Sequence, residues 1–363
     1  MGLIWAVACV SFRRKRSCLR TDTTTIPMTR RHFTQALTTA LLAAPEQAGA
    51  VPLWSRAEPH MGCLWTLTLP DLVPAAAEKA AQAVFAEIAR LNGIFSDYEP
   101  ASELNRLCDQ AGKDIPVPVS TELFDILQQS KAMSGFSGGV FDITLAPCVR
   151  LWRRSRRRGE LPDNESLTKA RARTGWQAMK LDAAARTVRL AKPGMQLDLG
   201  GIAKGWTQDA CLKLLRDRFK ITAVLLDAAG QVAAGDPPAG RDSWQIALQA
   251  MPDGSTDRIP LRGANVATSG NHYQFVEIGS RRYSHLIDPR TGLGSTVSRQ
   301  ASVIAATGSL ADALTKLCCL MEPEASLALI RSRYPEVQIR ISQAMPDGTL
   351  ITRQTGEFPA KAE

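Results

Sequence analysis

The sequence predicts an α+β fold. Three observations carry this. Strand-like and helix-like segments interleave without the strict strand-helix-strand rhythm of a doubly wound parallel sheet, strand signals crowd the last third of the chain, and a long amphipathic stripe follows the first alternating segment. A content of 45% apolar and 22% charged residues over 363 positions is that of a globular protein able to bury a sizeable core.

Taken in order, Cys63 to Pro70 alternates as a strand should. Residues 75–94 then place Ala77, Ala81, Val84, Phe85, Ile88 and Leu91 on one stripe, which predicts a long amphipathic helix. A second helix is expected over 121–134, closed by Gly135. Short strands follow over 179–181, 188–190 and 196–199, then a glycine-rich turn and a helix over 202–219. The strand-rich last third reads 222–226, 244–248, 265–268, 274–278, 282–286 and 301–305. Helices over 310–321 and 325–334 precede a final strand pair, 337–341 and 349–352. No internal repeat or low-complexity linker divides the chain, so residues 51–363 are expected to form one domain.

Residues 1–50 read differently. Adjacent Arg30 and Arg31, a short apolar run over 36–44 and small residues at 48–50 follow the layout of a signal peptide, and the arginine pair resembles a twin-arginine export signal. Met28 stands just before this motif, which suggests that 1–27 is a mis-assigned start. The expectation is a soluble periplasmic protein, because no segment reaches the ~18–20 apolar residues of a membrane helix. The formal charge of +9 is unevenly placed: 1–50 carry a net +5 and the remaining residues only +4. Basicity is thus mainly a property of the leader, which argues against a nucleic-acid partner. The run Arg150–Arg158, with six arginines in nine positions, is expected as a solvated loop. No Cys-x-x-Cys pair exists, so zinc ligation is unsupported and the cysteines read as small buried residues.

Four stretches carry chemistry. In "LDLGGIAKGW" (197–206), Gly200 and Gly201 let backbone approach a ligand, the helix start aims unpaired N–H groups at an anion, and Lys204 adds charge. The alternative is that the glycines serve only close packing; Asp198, a carboxylate ending an apolar strand, weakens it. "ATSGNHYQF" (267–275) brings Thr268, Ser269 and Gly270 to a strand end. "YSHLIDPRTGLG" (283–294) sets His285 three residues from Asp288, an acid-base candidate drawn from only three histidines after the leader: His60, His272 and His285. "LADALTKLCCLM" (310–321) is a buried helix in which Asp312 is a plausible hard-cation ligand.

Together these stretches resemble the ApbE family of FAD:protein FMN transferases, in the same order along the chain. Further likenesses are "HMGCLWTLTL" (60–69), "FSDYEPASELNRL" (95–107) and "SGGVFDITLAPCVRLW" (137–152). The resemblance implies an ApbE-like, T-fold-related arrangement of mixed sheets packed with helices, with FAD in a cleft between sub-domains. It implies Mg²⁺-dependent transfer of FMN from FAD to a Thr or Ser hydroxyl of an exported or membrane flavoprotein, with AMP released. By resemblance, Gly200, Gly201 and Lys204 hold the diphosphate, while Asp312 and the carbonyl of Ala203 hold the metal. Thr268, Ser269, Gly270 and Tyr98 contact the dinucleotide, Met61 and Asp142 line the same cleft, and Asp198 binds the flavin or its ribityl chain. His285 and Asp288 orient or deprotonate the incoming hydroxyl.

Two departures stand out. Family members commonly carry Thr four residues after the metal-binding Asp, and here that residue is Lys316. An ammonium cannot ligate a cation, so Thr315, a water or an altered metal dependence has to compensate. Ala229 and Gln231 stand where the family prefers Gly and an acidic residue. These departures keep two alternatives in view: a FAD pyrophosphatase giving FMN and AMP, and a periplasmic protein that binds FAD unchanged.

Overall fold

The backbone of one antiparallel sheet organises the molecule. The computed structural model describes residues 53–359, apart from 249–256, 271–274, 346 and 357; the leader and His272 lie outside the described residues. Eight strands form the sheet: β1 (Leu53–His60), β2 (Cys63–Pro70), β3 (Leu225–Ala228), β4 (Gln231–Ala234), β5 (Ala264–Gly270), β6 (Arg299–Ala305), β7 (Gln338–Ala344) and β8 (Leu350–Gln354). Their spatial order is their chain order, and every neighbouring pair is antiparallel. The first hairpin turns at Met61 and Gly62, with φ of 46° and 77°, the doubly left-handed geometry that matches the twist of two-residue hairpins.

Helices cover the sheet because their apolar stripes need a partner. Helix α1 (Pro74–Phe95) buries Ala77, Ala81, Val84 and Ile88 in the same cluster as Trp65, Leu67 and Leu69 of β2. A long excursion between β2 and β3 supplies α2 (Glu103–Cys108), α3 (Thr121–Phe136), α4 (Ala146–Arg158), α5 (Asn164–Ala172) and a small three-stranded sheet, before α6 (Ala203–Leu214) returns. Between β6 and β7 lie α7 (Gly308–Leu320) and α8 (Pro323–Arg333). Strand β6 is buried along its whole length, with Ala301 and Val303 in one cluster with Leu314 and Leu317 of α7.

Helices α6 and α7 meet without side chains between them. A Cβ built on Gly205 would fall 2.0 Å from the carbonyl oxygen of Gly308, so only glycine fits this crossing. Asp209 of α6 reaches the N-terminus of α7 and accepts from the backbone N–H groups of Gly308 at 2.7 Å and Ser309 at 3.0 Å. Two otherwise orphaned donors are thereby satisfied from a neighbouring helix.

The α+β expectation holds, and so do the principal helices. Three local readings change. Residues 196–199 form no strand; Leu197 and Leu199 are buried, and the N–H of Asp198 bonds the carbonyl of Ile143 at 2.8 Å instead of entering a ladder. The arginine run is not a loop but helix α4, anchored by buried Leu151, Trp152 and Ser155 and closed by Gly159 at φ 71°. Strand β1 carries no sequence signal of burial because none of its residues is fully buried. Among the described residues no helix is long and apolar enough to cross a membrane.

Candidate active site

A cleft of about 470 Å³ opens where the end of β5, the turn entering α6, helix α4 and the segment after Phe141 converge. This is within the size range of small-molecule sites. Tyr98, Asp142, Asp198, Gly200, Gly201, Lys204, Thr268, Ser269, Gly270 and His285 all line it. Met61, Ala203, Asp288, Asp312 and Thr315 do not.

One wall is the glycine turn. Asp198 holds it in shape: its Oδ1 accepts from the N–H of Gly200 at 2.8 Å, and a Cβ on Gly200 would sit 2.9 Å from that same oxygen. The other oxygen of Asp198 accepts from Arg153 Nη2 at 2.9 Å, while Arg153 Nη1 donates to Asp97 at 2.6 Å and the guanidinium lies 4.3 Å from the centre of the Tyr98 ring. Burial, reinforced by the Asp97 carboxylate and opposed by Arg153, holds the Asp198 carboxyl above its usual range. Such a group favours the folded state fully below its unfolded pKa of about 4, and that contribution is lost as the pH rises through the folded value. Asp198→Asn, which cannot ionise, should therefore show a weaker loss of melting temperature than the wild type as the pH rises above ~4; parallel profiles would refute the assignment.

The lining also carries the acid-base candidate. Of the two described histidines, His60 stacks on Phe85 at 5.8 Å and lies 3.2 Å from Glu58, whereas His285 lines the cleft in the connection between two short strands, Arg281–Ser284 and Ile287–Asp288. The other acid-base candidate, Asp288, lies outside the cleft lining. Asp288 is engaged by Arg290, whose N–H and Nε each lie 2.9 Å from Oδ1 and whose Nη2 lies 2.7 Å from Oδ2. Its carboxylate shapes the turn that follows and leaves the cleft to His285. Asp142 is likewise committed locally: it caps the turn at Ile143–Leu145, accepting from Thr144 N at 2.8 Å, Thr144 Oγ1 at 2.7 Å and Trp176 N at 3.2 Å. Met61, at its hairpin turn, accepts from Thr207 Oγ1 at 3.7 Å and packs against both main clusters of the core.

The third feature is α7. Asp312 is 2% exposed, and its Oδ1 is ion-paired to Lys316. The same ammonium donates to Ser269 Oγ at 3.1 Å and Thr315 Oγ1 at 3.2 Å. Thr315 Oγ1 stands 2.8 Å from Ser269 Oγ and donates to the Asp312 carbonyl at 2.6 Å. A Cβ on Gly201 would touch Lys316 Cε at 3.4 Å, so Gly201 and Asp312 are linked through the lysine. With Lys316 in place these oxygens do not fit a Mg²⁺ ion: Asp312 Oδ1 and Thr315 Oγ1, from the expected donor set, both face an internal cation, and only Asp312 Oδ2 is left over. Among the described residues no group of three His, Cys, Asp or Glu could hold a metal. Ala203 opens α6 as a buried residue.

A family model described as the ApbE family matches residues 61–341. The chain belongs to the ApbE family. A FAD:protein FMN transferase of Treponema pallidum (strain Nichols) is 32% identical over 321 residues, covering 81% of this chain and 88% of that protein. The crystal structure of the apo flavinyl transferase ApbE of Pseudomonas stutzeri superposes with a TM-score of 0.74 at 27% identity, covering 86% of this chain and 97% of that one. The flavin transferase ApbE of Vibrio cholerae, at 23% identity, shares the fold with a TM-score of 0.73 over 85% and 99% of the two chains.

Against that ApbE frame, the substitutions at the β3–β4 turn acquire physical meaning. Ala229 lines the cleft at φ 53°, a conformation that disfavours a Cβ, followed by Gly230 at φ 91°. Ala229→Gly should therefore raise stability by about 0.5–1 kcal/mol, read from denaturant midpoints; a loss would show that the turn tolerates alanine without strain. Gln231, buried, donates from Nε2 to the Gly308 carbonyl at 3.2 Å, a bond an ionised carboxylate could not make.

Sequence reasoning missed Arg153 and Arg156, which line the cleft from α4. The signal was present: Leu151, Trp152 and Ser155 fit one helical face, which turns the arginines between them toward another.

Proposed function

We propose that this protein transfers FMN from FAD to a Thr or Ser hydroxyl of an acceptor flavoprotein and releases AMP. The observation that carries the reading is the meeting, in one cleft, of the glycine turn, Lys204 and Arg156 with His285. The names of the relatives and the family's breadth of match support it.

A diphosphate resists attack because its oxygens repel a nucleophile, so the site must offset charge and align the hydroxyl. Gly200 and Gly201 let the chain approach the diphosphate at the start of α6, where N–H groups and the helix dipole favour an anion. Lys204 and Arg156 supply the positive charge, while Arg153 is paired with Asp97 and Asp198 and holds the wall of the cleft in place. Of the two carboxylates of the lining, Asp142 is hydrogen-bonded to Thr144 and Trp176, and Asp198 is offset by Arg153 and the N–H of Gly200, so they add little repulsion. Tyr98, 73% exposed at the rim, offers a ring face to an aromatic part of FAD. Thr268 and Ser269 present hydroxyls from β5. The acceptor oxygen attacks the FMN phosphorus as His285 takes its proton; the bond between that phosphorus and the bridging oxygen breaks, and AMP leaves with that oxygen.

The decisive experiment incubates the full chain with FAD and a candidate acceptor of the exported or membrane redox type. Flavin fluorescence that survives denaturing electrophoresis on the acceptor, with AMP in equal amount, is expected. Free FMN and AMP without an acceptor would indicate a pyrophosphatase, and unchanged FAD a binding protein. Export through the twin-arginine-like leader to the periplasm is part of this proposal, supported by the order of its sequence signals, and N-terminal sequencing of the mature chain checks it.

A further inference from the structure

The cage around Lys316 holds a cation of the chain's own. A lysine ammonium has three N–H donors and no acceptor. Here all three find oxygens: Asp312 Oδ1, Ser269 Oγ at 3.1 Å and Thr315 Oγ1 at 3.2 Å. The cage is built rather than incidental. The Asp312 side chain is 3% exposed and the Lys316 side chain 14%, Thr315 is fully buried, and β5 and α7 contribute to it together. It also abuts the glycine turn, since Gly201 lies against the lysine stem. A carboxylate oxygen and two hydroxyl oxygens converging on one point beside an anion-binding turn form the hard-oxygen environment that divalent cations select.

We propose that Lys316 is the resident cation of this site, its ammonium filling the position between Asp312, Ser269 and Thr315 that would otherwise receive a divalent metal ion. The inference deepens the reading above, because it concerns the charge that faces the diphosphate. Two consequences follow from chemistry alone. A divalent ion cannot share the cage with an ammonium, because like charges at hydrogen-bond distance repel strongly in a buried site. The balance of charge also differs: a divalent ion against Asp312 would leave one positive charge facing the substrate, whereas Lys316 against Asp312 leaves none. Neutralisation of the diphosphate then falls to Lys204 and Arg156, which line the same cleft, since Arg153 is paired with Asp97 and Asp198. Asp312 Oδ2, buried and without a hydrogen-bond partner among the described residues, is the part of the cage the ammonium does not satisfy. Removing the ammonium should leave both carboxylate oxygens open to an ion.

The test is made without FAD, so that it stands or falls separately from the transfer activity. Mn²⁺ is titrated into the full chain and its free signal followed by electron paramagnetic resonance. The wild type should leave Mn²⁺ free at concentrations where Lys316→Thr takes up one ion per chain, an affinity gain of about 100-fold that Lys316→Thr/Asp312→Asn loses. A wild-type chain that binds one Mn²⁺, in a manner abolished by Asp312→Asn, overturns the proposal whatever the variants do. So does a folded Lys316→Thr chain that takes up none. Should that variant not fold, Lys316→Ser, with a smaller hydroxyl, gives the same reading. In the loaded protein, FAD affinity measured by flavin fluorescence should change less than about twofold between chelator and excess Mg²⁺ in the wild type and at least tenfold in Lys316→Thr; a tenfold dependence in the wild type also overturns the proposal.

Discussion

His285→Ala is expected to lower flavin transfer by about 10²–10⁴-fold while leaving FAD affinity within about twofold of wild type. The split follows from position. His285 lies on a different segment of the lining from the glycine turn, Lys204 and Arg156, so its loss removes proton acceptance while the groups that would hold the diphosphate remain. The measurement pairs single-turnover transfer, read as acceptor-bound fluorescence, with equilibrium FAD binding. A variant that keeps transfer within a few-fold of wild type would show that another group accepts the proton. A variant that loses FAD binding would show that His285 holds the dinucleotide. Asp288→Asn should have a far smaller effect, because that carboxylate is engaged by Arg290 and lies outside the cleft lining.

Gly205→Ala is expected to cost about 3 kcal/mol or more, seen as a drop in the denaturant midpoint. The new methyl would fall 2.0 Å from the Gly308 carbonyl oxygen and 2.6 Å from Gln231 Nε2, and the first of these is backbone that no rotamer change can move. Relief requires α6 and α7 to separate, which would also stretch the bonds from Gly308 and Ser309 to Asp209. Since α6 begins at the glycine turn and α7 carries Asp312 and Lys316, the site should loosen as well. FAD affinity falling together with stability is the expected pattern; an unchanged midpoint would mean that the helices sit farther apart than described.

These two glycine roles show what could be read in the sequence and what could not. The "LDLGGIAKGW" stretch announced both an anion turn and close packing, but not which glycine served which purpose. In space Gly200 and Gly201 face the cleft and Gly205 faces Gly308, and only the orientation of α6 separates them. The long apolar stripe of α1 was legible because its burial follows a 3.6-residue period. The arginine run was misread because six charges mask three anchoring positions, and charge is a poor guide when a helix has one buried face and one wet one. The sequence set Asp288 three residues from His285 but did not show that Arg290, two residues on, engages the carboxylate. Lys316 was visible as a departure at its position, yet its consequence depends on Ser269, 47 residues earlier, which no local pattern connects to it.

The sheet imposes a timetable on the chain. Strands β2 and β3 are adjacent, with Trp65 opposite Ala228, although the whole of α1 to α6 lies between them in sequence. Until residues beyond 228 exist, β1 and β2 form only a hairpin, which is marginal alone in water. A ribosome-bound or truncated chain ending before that point therefore exposes the free edge of β2, and closing this one seam carries the largest entropic toll of any pairing in the sheet.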